Sequence, residues 1–377
     1  MKLKITLALF LITSLTFGQR TLIHCGNLID GKSNDAQSQM TIVVEGNKII
    51  SVEKGLAKPG GTDKLIDLSK KTVMPGLIDM HVHLEGETSK DQALQRFTLN
   101  KADLAFGSTV YAKRTLMAGF TTVRDLGGSG VNVSLRNAVN QGLVVGPRIL
   151  TAGKSVASTG GHADPTNGYR EDLMGDPGPK EGVINSPEEA RQAVRQRYKD
   201  GADLIKITAT GGVLSIAKDG SGPQFTNDEL KAIIDLGKVG VRLNPSLNGF
   251  LGMKVDEETI STFDYIVTRL NNYNLAYLHL SEPFTDVTGN QNAIQEVAKH
   301  YRPIYKGTII INRGFTKDAA TKVLNDGHAD LVSFGVPYIA NPDLVERFKA
   351  DAHISSPDQA TFYTPGEKGY TDYPLSA

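Results

Sequence analysis

The stretch Pro75-Gly76-Leu77-Ile78-Asp79-Met80-His81-Val82-His83 decides how this sequence is interpreted. Its apolar residues predict a β-strand that ends in two histidines separated by one residue. Alternate side chains of a strand point to the same face, so His81 and His83 can share a metal ion. Two inward-facing imidazoles without a partner would be costly to bury, which favours a metal site over ordinary core histidines.

Downstream of this stretch, apolar runs alternate with helix-like segments, which is typical of parallel βα units. The predicted strands cover residues 77–83, 121–126, 148–152, 204–209, 239–243, 275–280, 308–311 and 331–335. Eight such strands predict an α/β fold with a closed (β/α)8 TIM-type barrel. Before it, residues 19–75 alternate short β-like runs with glycine turns and predict a small N-terminal β-domain.

The first 18 residues are predicted to be a signal peptide. Lys2 and Lys4 precede an apolar run over residues 5–15, and Thr16-Phe17-Gly18 resembles a cleavage site. The run is shorter than the roughly 20 apolar residues that a membrane-spanning helix needs. We therefore expect a periplasmic or secreted mature protein with no membrane association after cleavage.

The charge balance indicates the kind of partner. The 377 residues include 41 lysines and arginines and 41 aspartates and glutamates, so the formal net charge is zero. No net field is available to attract nucleic acid or an anionic membrane. We expect a small-molecule substrate and no nucleic-acid partner, and the oligomeric state is left open.

Lys206 lies inside the apolar segment Asp203-Leu204-Ile205-Lys206-Ile207-Thr208-Ala209. A lone ammonium is expensive to bury in such a strand. Carbamylation by carbon dioxide would turn the amine into a carboxylate-like metal ligand. An ion-paired lysine, or one whose ammonium reaches solvent, is the alternative.

Further motifs share the first part of the chain: Ala118-Gly119-Phe120-Thr121-Thr122-Val123-Arg124-Asp125, Gly146-Pro147-Arg148-Ile149, Gly160-Gly161-His162-Ala163-Asp164, and Ile205-Lys206 with Gly211-Gly212-Val213. With residues 73–83, they make residues 20–237 resemble the amidohydrolase superfamily, in its imidazolonepropionase-like or Xaa-Pro dipeptidase-like branch. The resemblance implies that His81, His83 and Lys206, as a carbamate, bind one or two divalent metals, with zinc expected. It also places His162 in a loop that faces the site, as a substrate-binding residue.

The same resemblance implies ligands that this sequence lacks. The family has a histidine on strand five, another on strand six, and an aspartate at the end of strand eight that takes a proton from the attacking water. Here strand five ends with Arg242-Leu243-Asn244, and strand eight ends with Ser333-Phe334-Gly335. His279 on strand six is a possible substitute, although strand alternation could also point it outward. The metal site is therefore expected to be incomplete.

The rest of the chain carries different motifs: Gly240-Val241-Arg242-Leu243-Asn244-Pro245, residues 275–283, Arg313-Gly314-Phe315, Phe334-Gly335, Ile339-Ala340-Asn341-Pro342-Asp343-Leu344 and Gly369-Tyr370-Thr371-Asp372-Tyr373-Pro374. These make residues 239–377 resemble the old yellow enzyme family of FMN-dependent ene reductases. Loops after strands seven and eight of a (β/α)8 barrel often bind phosphate through backbone N–H groups.

The second resemblance implies an FMN site. Arg242 would neutralise the flavin ring, and Arg313, Gly314, Gly335 and Val336 would line the phosphate. The family often has arginine at the position of Val336, so one phosphate-binding charge is missing. The motifs that hold the flavin ring and the substrate in that family are not found before residue 237.

The two resemblances meet between the fourth and fifth predicted strands. We interpret residues 76–237 as an amidohydrolase-like half-barrel and residues 238–377 as an old-yellow-enzyme-like half-barrel. The sequence thus predicts metal-dependent hydrolysis of a C–N bond in a cyclic amide or peptide-like substrate. The alternatives are an NAD(P)H-dependent FMN oxidoreductase and a non-catalytic chimeric barrel.

Overall fold

A computed structural model describes residues 19–33, 35–211, 222–236, 240–249, 253–273, 275–362, 364, 366, 368–370 and 372–374. The predicted signal peptide and the predicted join at residues 237 and 238 lie outside the described residues. The chain divides into a unit that ends at Gly76 and a second unit, Leu77–Ala377. Within the described residues, no helix combines the length and apolar character needed to cross a bilayer.

The first unit is one four-stranded sheet. Its strands are β1 (Arg20–Leu28), β2 (Gln37–Glu45), β3 (Lys48–Lys54) and β4 (Lys64–Val73), in the order β3-β2-β1-β4. The β1–β2 and β2–β3 pairs are antiparallel, and β4 pairs with β1 in parallel. Cys25, Leu28, Met40 and Ile42 form its buried core.

The second unit begins with a three-stranded parallel sheet and its helices. The strands are β5 (Leu77–Val82), β6 (Phe120–Asp125) and β7 (Arg148–Thr151). The helices are α1 (Gln92–Thr98), α2 (Lys101–Met117) and α3 (Val131–Asn140). Val123 and Ile149 pack with Ala112 and Leu135 of the helices, so one face of this sheet is buried.

The segment between β7 and the next sheet contains the short strands β8 (Ala157–Ser158) and β9 (Val183–Ile184), and the helices α4 (Glu171–Met174), α5 (Pro187–Asp200) and α6 (Asn227–Ile234). Residues of β9, α5 and α6 form a second buried core. Capping residues mark the starts of α5 and α6. The Ser186 hydroxyl accepts a bond from the Glu189 N–H, and Thr226 and Glu229 form a reciprocal capping box.

The final part is a four-stranded parallel sheet in the order β10-β11-β12-β13. The strands are β10 (Gly240–Leu243), β11 (Tyr277–Ser281), β12 (Ile309–Asn312) and β13 (Leu331–Ser333). The helices are α7 (Thr259–Leu270), α8 (Val297–Tyr301), α9 (Lys317–Asn325), α10 (Val336–Ala340) and α11 (Leu344–Lys349), and a 3-10 turn covers Gln359–Thr361. Leu278, Leu280, Ile309 and Ile311 are fully buried in a core that they share with residues of α7, α8 and α9.

The α/β class is confirmed, but the predicted ring of eight strands is not formed by strand pairing in the described part of the chain. The predicted strand 204–209 makes one parallel bridge, Val156 to Ile207. At its start, the Thr151 N–H donates to the Asp203 side chain, while the Asp203 N–H donates to the Thr151 carbonyl at 2.7 Å. Among the described residues no strand pairing links β7 to β10 or β13 to β5.

Candidate functional site

Each of the two larger parallel sheets of the second unit buries one face against helices, and the opposite faces carry the predicted site residues His81 and Arg242. Val241 and Leu243 pack on the same core as Leu278 and Leu280. By strand alternation, the other face of this sheet carries Gly240, Arg242, Tyr277, His279, Asn312 and Ser333. In the first sheet, Val82 and Val123 pack on the helices, which leaves His81 and Arg124 on the opposite face. We call these two polar faces the inner faces.

The histidine pair lies at the end of β5. The ring centroids of His81 and His83 are 5.4 Å apart in an edge-to-face arrangement. His83 Nδ1 lies 2.9 Å from the carbonyl oxygen of Gly127, which can only accept, so Nδ1 carries the proton. The Nε2 lone pair of His83 is therefore free for a ligand, which is the usual arrangement of a metal-binding histidine.

His81 is held in its neutral form. Its side chain is open to solvent on one side, yet protein groups surround it closely. The pKa of His81 is lowered to about 3. Loss of hydration is the largest cause, and the nearby positive charges of Lys206, His83, Arg242 and Arg124 add to it. A neutral imidazole is the form that can bind a metal.

Lys206 faces the same cluster from the segment after β7. Burial, followed by the charges of Arg124 and Arg242, lowers the pKa of its ammonium. Within the described residues, the Lys206 side chain has no hydrogen-bond or ion-pair partner. The alternative of an ion-paired lysine is therefore not supported by any described residue. A lysine with a lowered pKa provides more of the neutral amine that carbamylation requires.

His162 lies in the loop after β8. Its backbone N–H donates to Gln224 Oε1 at 2.8 Å, while its buried Nδ1 has no hydrogen-bond partner. Burial, followed by the charges of Lys206 and His83, lowers the pKa of the ring. The first part of the chain thus brings its four predicted site residues into one cluster.

The second part of the chain adds groups that do not complete a metal site. His279 points to the inner face, beside Arg242 on the paired strand, and the outward orientation that sequence allowed is wrong. The Nε2 atom of His279 lies 3.4 Å from the Ser333 hydroxyl. Burial, together with the positive charges of Arg242 and Arg124, lowers the pKa of His279 to about 4. No group of three or more His, Cys, Asp or Glu residues in the described part of the chain is arranged to hold a metal ion.

The fit to a divalent cation is therefore partial. His81 and His83 supply nitrogen donors with free lone pairs, and Lys206 supplies an amine that carbon dioxide can convert into an oxygen ligand. Arg242 stands on the strand where the resemblance implies a histidine, and a guanidinium cannot bind a cation. One metal ion suits these residues better than two.

The predicted FMN residues lie at the carboxyl ends of β10, β12 and β13. Arg313 has φ of 82°, donates through Nη2 to the Phe284 carbonyl at 2.7 Å, and places its guanidinium 3.5 Å from the Phe284 ring centroid. Gly314, with φ of 72°, and Gly335 both have open space where a Cβ would lie. Val336 is half exposed at the start of α10. The glycines leave room for a ligand, whereas the Arg313 side chain is engaged with Phe284.

Sequence reasoning missed two residues of the inner faces. Arg124 donates through Nε to the Met80 carbonyl at 2.8 Å and through Nη1 to the Tyr277 hydroxyl. The signal for Arg124 was present, because it alternates with the buried Val123 on β6. Tyr277 lies within the motif at residues 275–283, and no local sequence pattern shows that it meets a residue of β6.

The two ends of the chain match different protein families. Residues 72–243 match the Amidohydrolase family, and residues 227–354 match the NADH:flavin oxidoreductase / NADH oxidase family. The structure of a Xaa-Pro dipeptidase with bound methionine in its active site is similar, with 38% identity and a TM-score of 0.57, over 82% of this chain and 65% of that chain.

Two plant proteins, both from Oryza sativa subsp. japonica, are also similar to this chain. Putative 12-oxophytodienoate reductase 5 is 33% identical over 49% of this chain and 54% of its own length. Putative 12-oxophytodienoate reductase 10 is 31% identical over 52% of this chain and 68% of its own length. The chain spans about half the length of the first of these relatives.

The chain belongs to the NADH:flavin oxidoreductase / NADH oxidase family through its C-terminal part, and its N-terminal part carries the amidohydrolase family match. The predicted chimera of an amidohydrolase and an old-yellow-enzyme relative is confirmed. The two matched ranges overlap at residues 227–243, around helix α6 and strand β10.

Proposed function

We propose that this chain is a metal-dependent hydrolase of the amidohydrolase type that cleaves a C–N bond in a cyclic amide or peptide-like substrate. The observation that carries the proposal is the hydrogen bond between His83 Nδ1 and the Gly127 carbonyl, which leaves Nε2 of His83 free beside His81 and Lys206. A divalent cation, with zinc expected, supplies Lewis acidity and lowers the pKa of water when it is bound.

The residues of the chain have separate tasks in this proposal. His81 and His83 hold the cation. The neutral Lys206 amine adds to carbon dioxide, forming an N–C bond and releasing one proton, and the resulting carbamate supplies oxygen ligands. His162, with its unpaired buried Nδ1, hydrogen-bonds the substrate.

We further propose that the two half-barrels share one lumen, toward which both inner faces point. The bond from Arg124 on β6 to Tyr277 on β11 supports this arrangement, because strands two and six lie opposite each other in an eight-stranded barrel. Secretion after cleavage of residues 1–18 is part of the same proposal.

Metal analysis of the purified protein tests the proposal directly. We expect close to one equivalent of metal in the wild-type protein and a strong loss in His81→Ala and His83→Ala. His353→Ala is the matched control, since His353 is exposed and remote from the inner faces in sequence. Wild-type protein that stays free of metal after incubation with excess zinc and bicarbonate would contradict the proposal.

Activity is measured on Xaa-Pro dipeptides and on cyclic amides. We expect turnover that requires metal and is lost in Lys206→Ala, with partial recovery when a short-chain carboxylic acid is added to that variant. Metal binding without turnover would identify a non-catalytic chimera.

A second candidate function is an FMN-dependent oxidoreductase. Membership of the C-terminal part in the flavin oxidoreductase family favours it, as does the open space at Gly314 and Gly335. Titration with FMN, followed by quenching of flavin fluorescence, tests it. We expect Gly314→Val to weaken a genuine site and Gly366→Val, at another left-handed glycine, to leave it unchanged. Absence of quenching in the wild-type protein would exclude this candidate.

A further inference from the structure

Two arginines lie on the inner faces, Arg124 on β6 and Arg242 on β10, and the charges of both act on His279. Arg124 extends from β6 to Tyr277 on β11, with its guanidinium carbon 5.3 Å from the Tyr277 ring centroid. Tyr277 pairs with Gly240, and the next inward-facing pair along the same two strands is His279 with Arg242. Arg124 therefore contacts the Gly240–Tyr277 pair, which is the inward-facing pair next to the one that contains Arg242.

Both arginines are fixed by neutral partners. Arg124 is held by the Met80 carbonyl and the Tyr277 hydroxyl. In the amide orientation that satisfies both of its polar groups, Asn312 donates to the Leu280 carbonyl at 3.1 Å and accepts from Arg242 Nη2 at 3.3 Å. A planar guanidinium has five N–H donors, so each arginine keeps donors available for another acceptor.

The positive charge of this region lacks a matching negative charge. Neither Arg124 nor Arg242 forms an ion pair with any described residue, and Lys206 also lies near both. The charge of Arg124 acts to lower the pKa of the Asp79 carboxyl group, against the larger effect of burial. Asp79 Oδ1 accepts a hydrogen bond from the His81 backbone N–H. Among the described residues, this one carboxylate therefore faces two guanidinium groups, neither of which is ion-paired.

We propose that Arg124 and Arg242 together bind a small oxoanion, a phosphate or the carboxylate of an organic acid, between the two inner faces. Guanidinium groups bind such anions through paired N–H···O bonds. Arg124 lies in the amidohydrolase match alone, and Arg242 lies in the stretch where the two family matches overlap. The proposed site is separate from the predicted FMN phosphate site at Gly314 and Gly335, and it does not depend on hydrolysis.

Calorimetric titration with inorganic phosphate, and in parallel with acetate, tests the proposal on the full chain. We expect one phosphate or acetate per chain. Because a hydrogen-bonded charge is lost in each variant, Arg124→Met and Arg242→Met should each weaken binding by about tenfold or more. Arg195→Met is the matched control, because Arg195 is exposed on α5. The probe that binds more tightly identifies the source of the oxoanion.

The measurement is repeated after treatment with a chelator, which separates this site from a metal site. Phosphate binding that survives metal removal but is weakened in both variants supports the proposal, even if the proposed hydrolase fails. Binding that disappears with the metal, or that is unchanged in both variants, overturns it, as does absence of binding of either probe. Arg124→Lys and Arg242→Lys, which keep the charge, replace any methionine variant that does not fold and should give intermediate affinity.

Discussion

The hydroxyl of Tyr277 accepts a hydrogen bond from Nη1 of Arg124, and the two residues are 153 positions apart in the chain. Arg124 lies in the segment that matches the amidohydrolase family, and Tyr277 lies in the segment that matches the flavin oxidoreductase family. This bond is a direct contact between side chains that the two parent families contribute.

We expect Tyr277→Phe to lower the free energy of unfolding by about 1–3 kcal/mol, because the charged Arg124 loses a partially buried acceptor. Urea unfolding followed by circular dichroism measures the change. Tyr198→Phe serves as the control, since the Tyr198 side chain is 85% exposed. Equal stability of the two variants would show that the contact with Arg124 does not contribute to folding.

Gly240→Ala should disturb the same contact without removing the hydroxyl. A Cβ at Gly240 would lie 2.2 Å from Cζ of Tyr277, so the ring must move away from β10. We expect Gly240→Ala to lower the melting temperature. In the double variant Gly240→Ala with Tyr277→Phe, the total loss of unfolding free energy should be smaller than the sum of the losses in the two single variants. Additive losses would mean that the ring and the glycine act independently.

Arg197 on α5 is fully buried and holds the segment before β9 in place. Its Nη2 donates to the Lys180 carbonyl at 2.5 Å, and its Nη1 donates to the Lys154 carbonyl at 3.4 Å. Arg197→Met leaves both carbonyls without this donor and should cost about 1–3 kcal/mol of stability. Thermal unfolding and limited proteolysis measure the loss, and Arg195→Met on the same helix should behave like the wild type.

Acid should destabilise this chain through its inner-face histidines. The pKa is lowered to about 3 for His81 and to about 4 for His279, whereas an unfolded histidine titrates near pH 6.5. Between these values the unfolded chain binds more protons, so stability rises with pH. Stability should be complete above about pH 6.5 and decline as the pH falls toward about 4.

Urea unfolding at about pH 7 and about pH 5 measures this dependence. We expect His279→Asn to reduce the difference in unfolding free energy between the two pH values. His353→Asn, at an exposed position, should leave the difference unchanged. An unchanged difference in the His279 variant would contradict the assigned direction of its pKa shift.

Much of the local structure could be predicted from sequence, because it depends on neighbouring residues. The strand that contains His81 follows from its apolar run, and the start of α6 follows from Thr226 and Glu229. The segment at Lys206 has an equally apolar pattern, yet it makes a single β-bridge. A ladder requires a partner strand in register, and the pattern of one segment does not specify its partner.

The joining of two families is visible in the amino-acid sequence, because short motifs such as His81-Val82-His83 and Arg313-Gly314-Phe315 consist of consecutive residues. The orientation of His279 toward the inner face and the contact of Arg124 with Tyr277 depend on the packing of distant segments. The reason is physical: strand alternation leaves two possible faces, and the buried packing of Leu278 and Leu280 selects one of them.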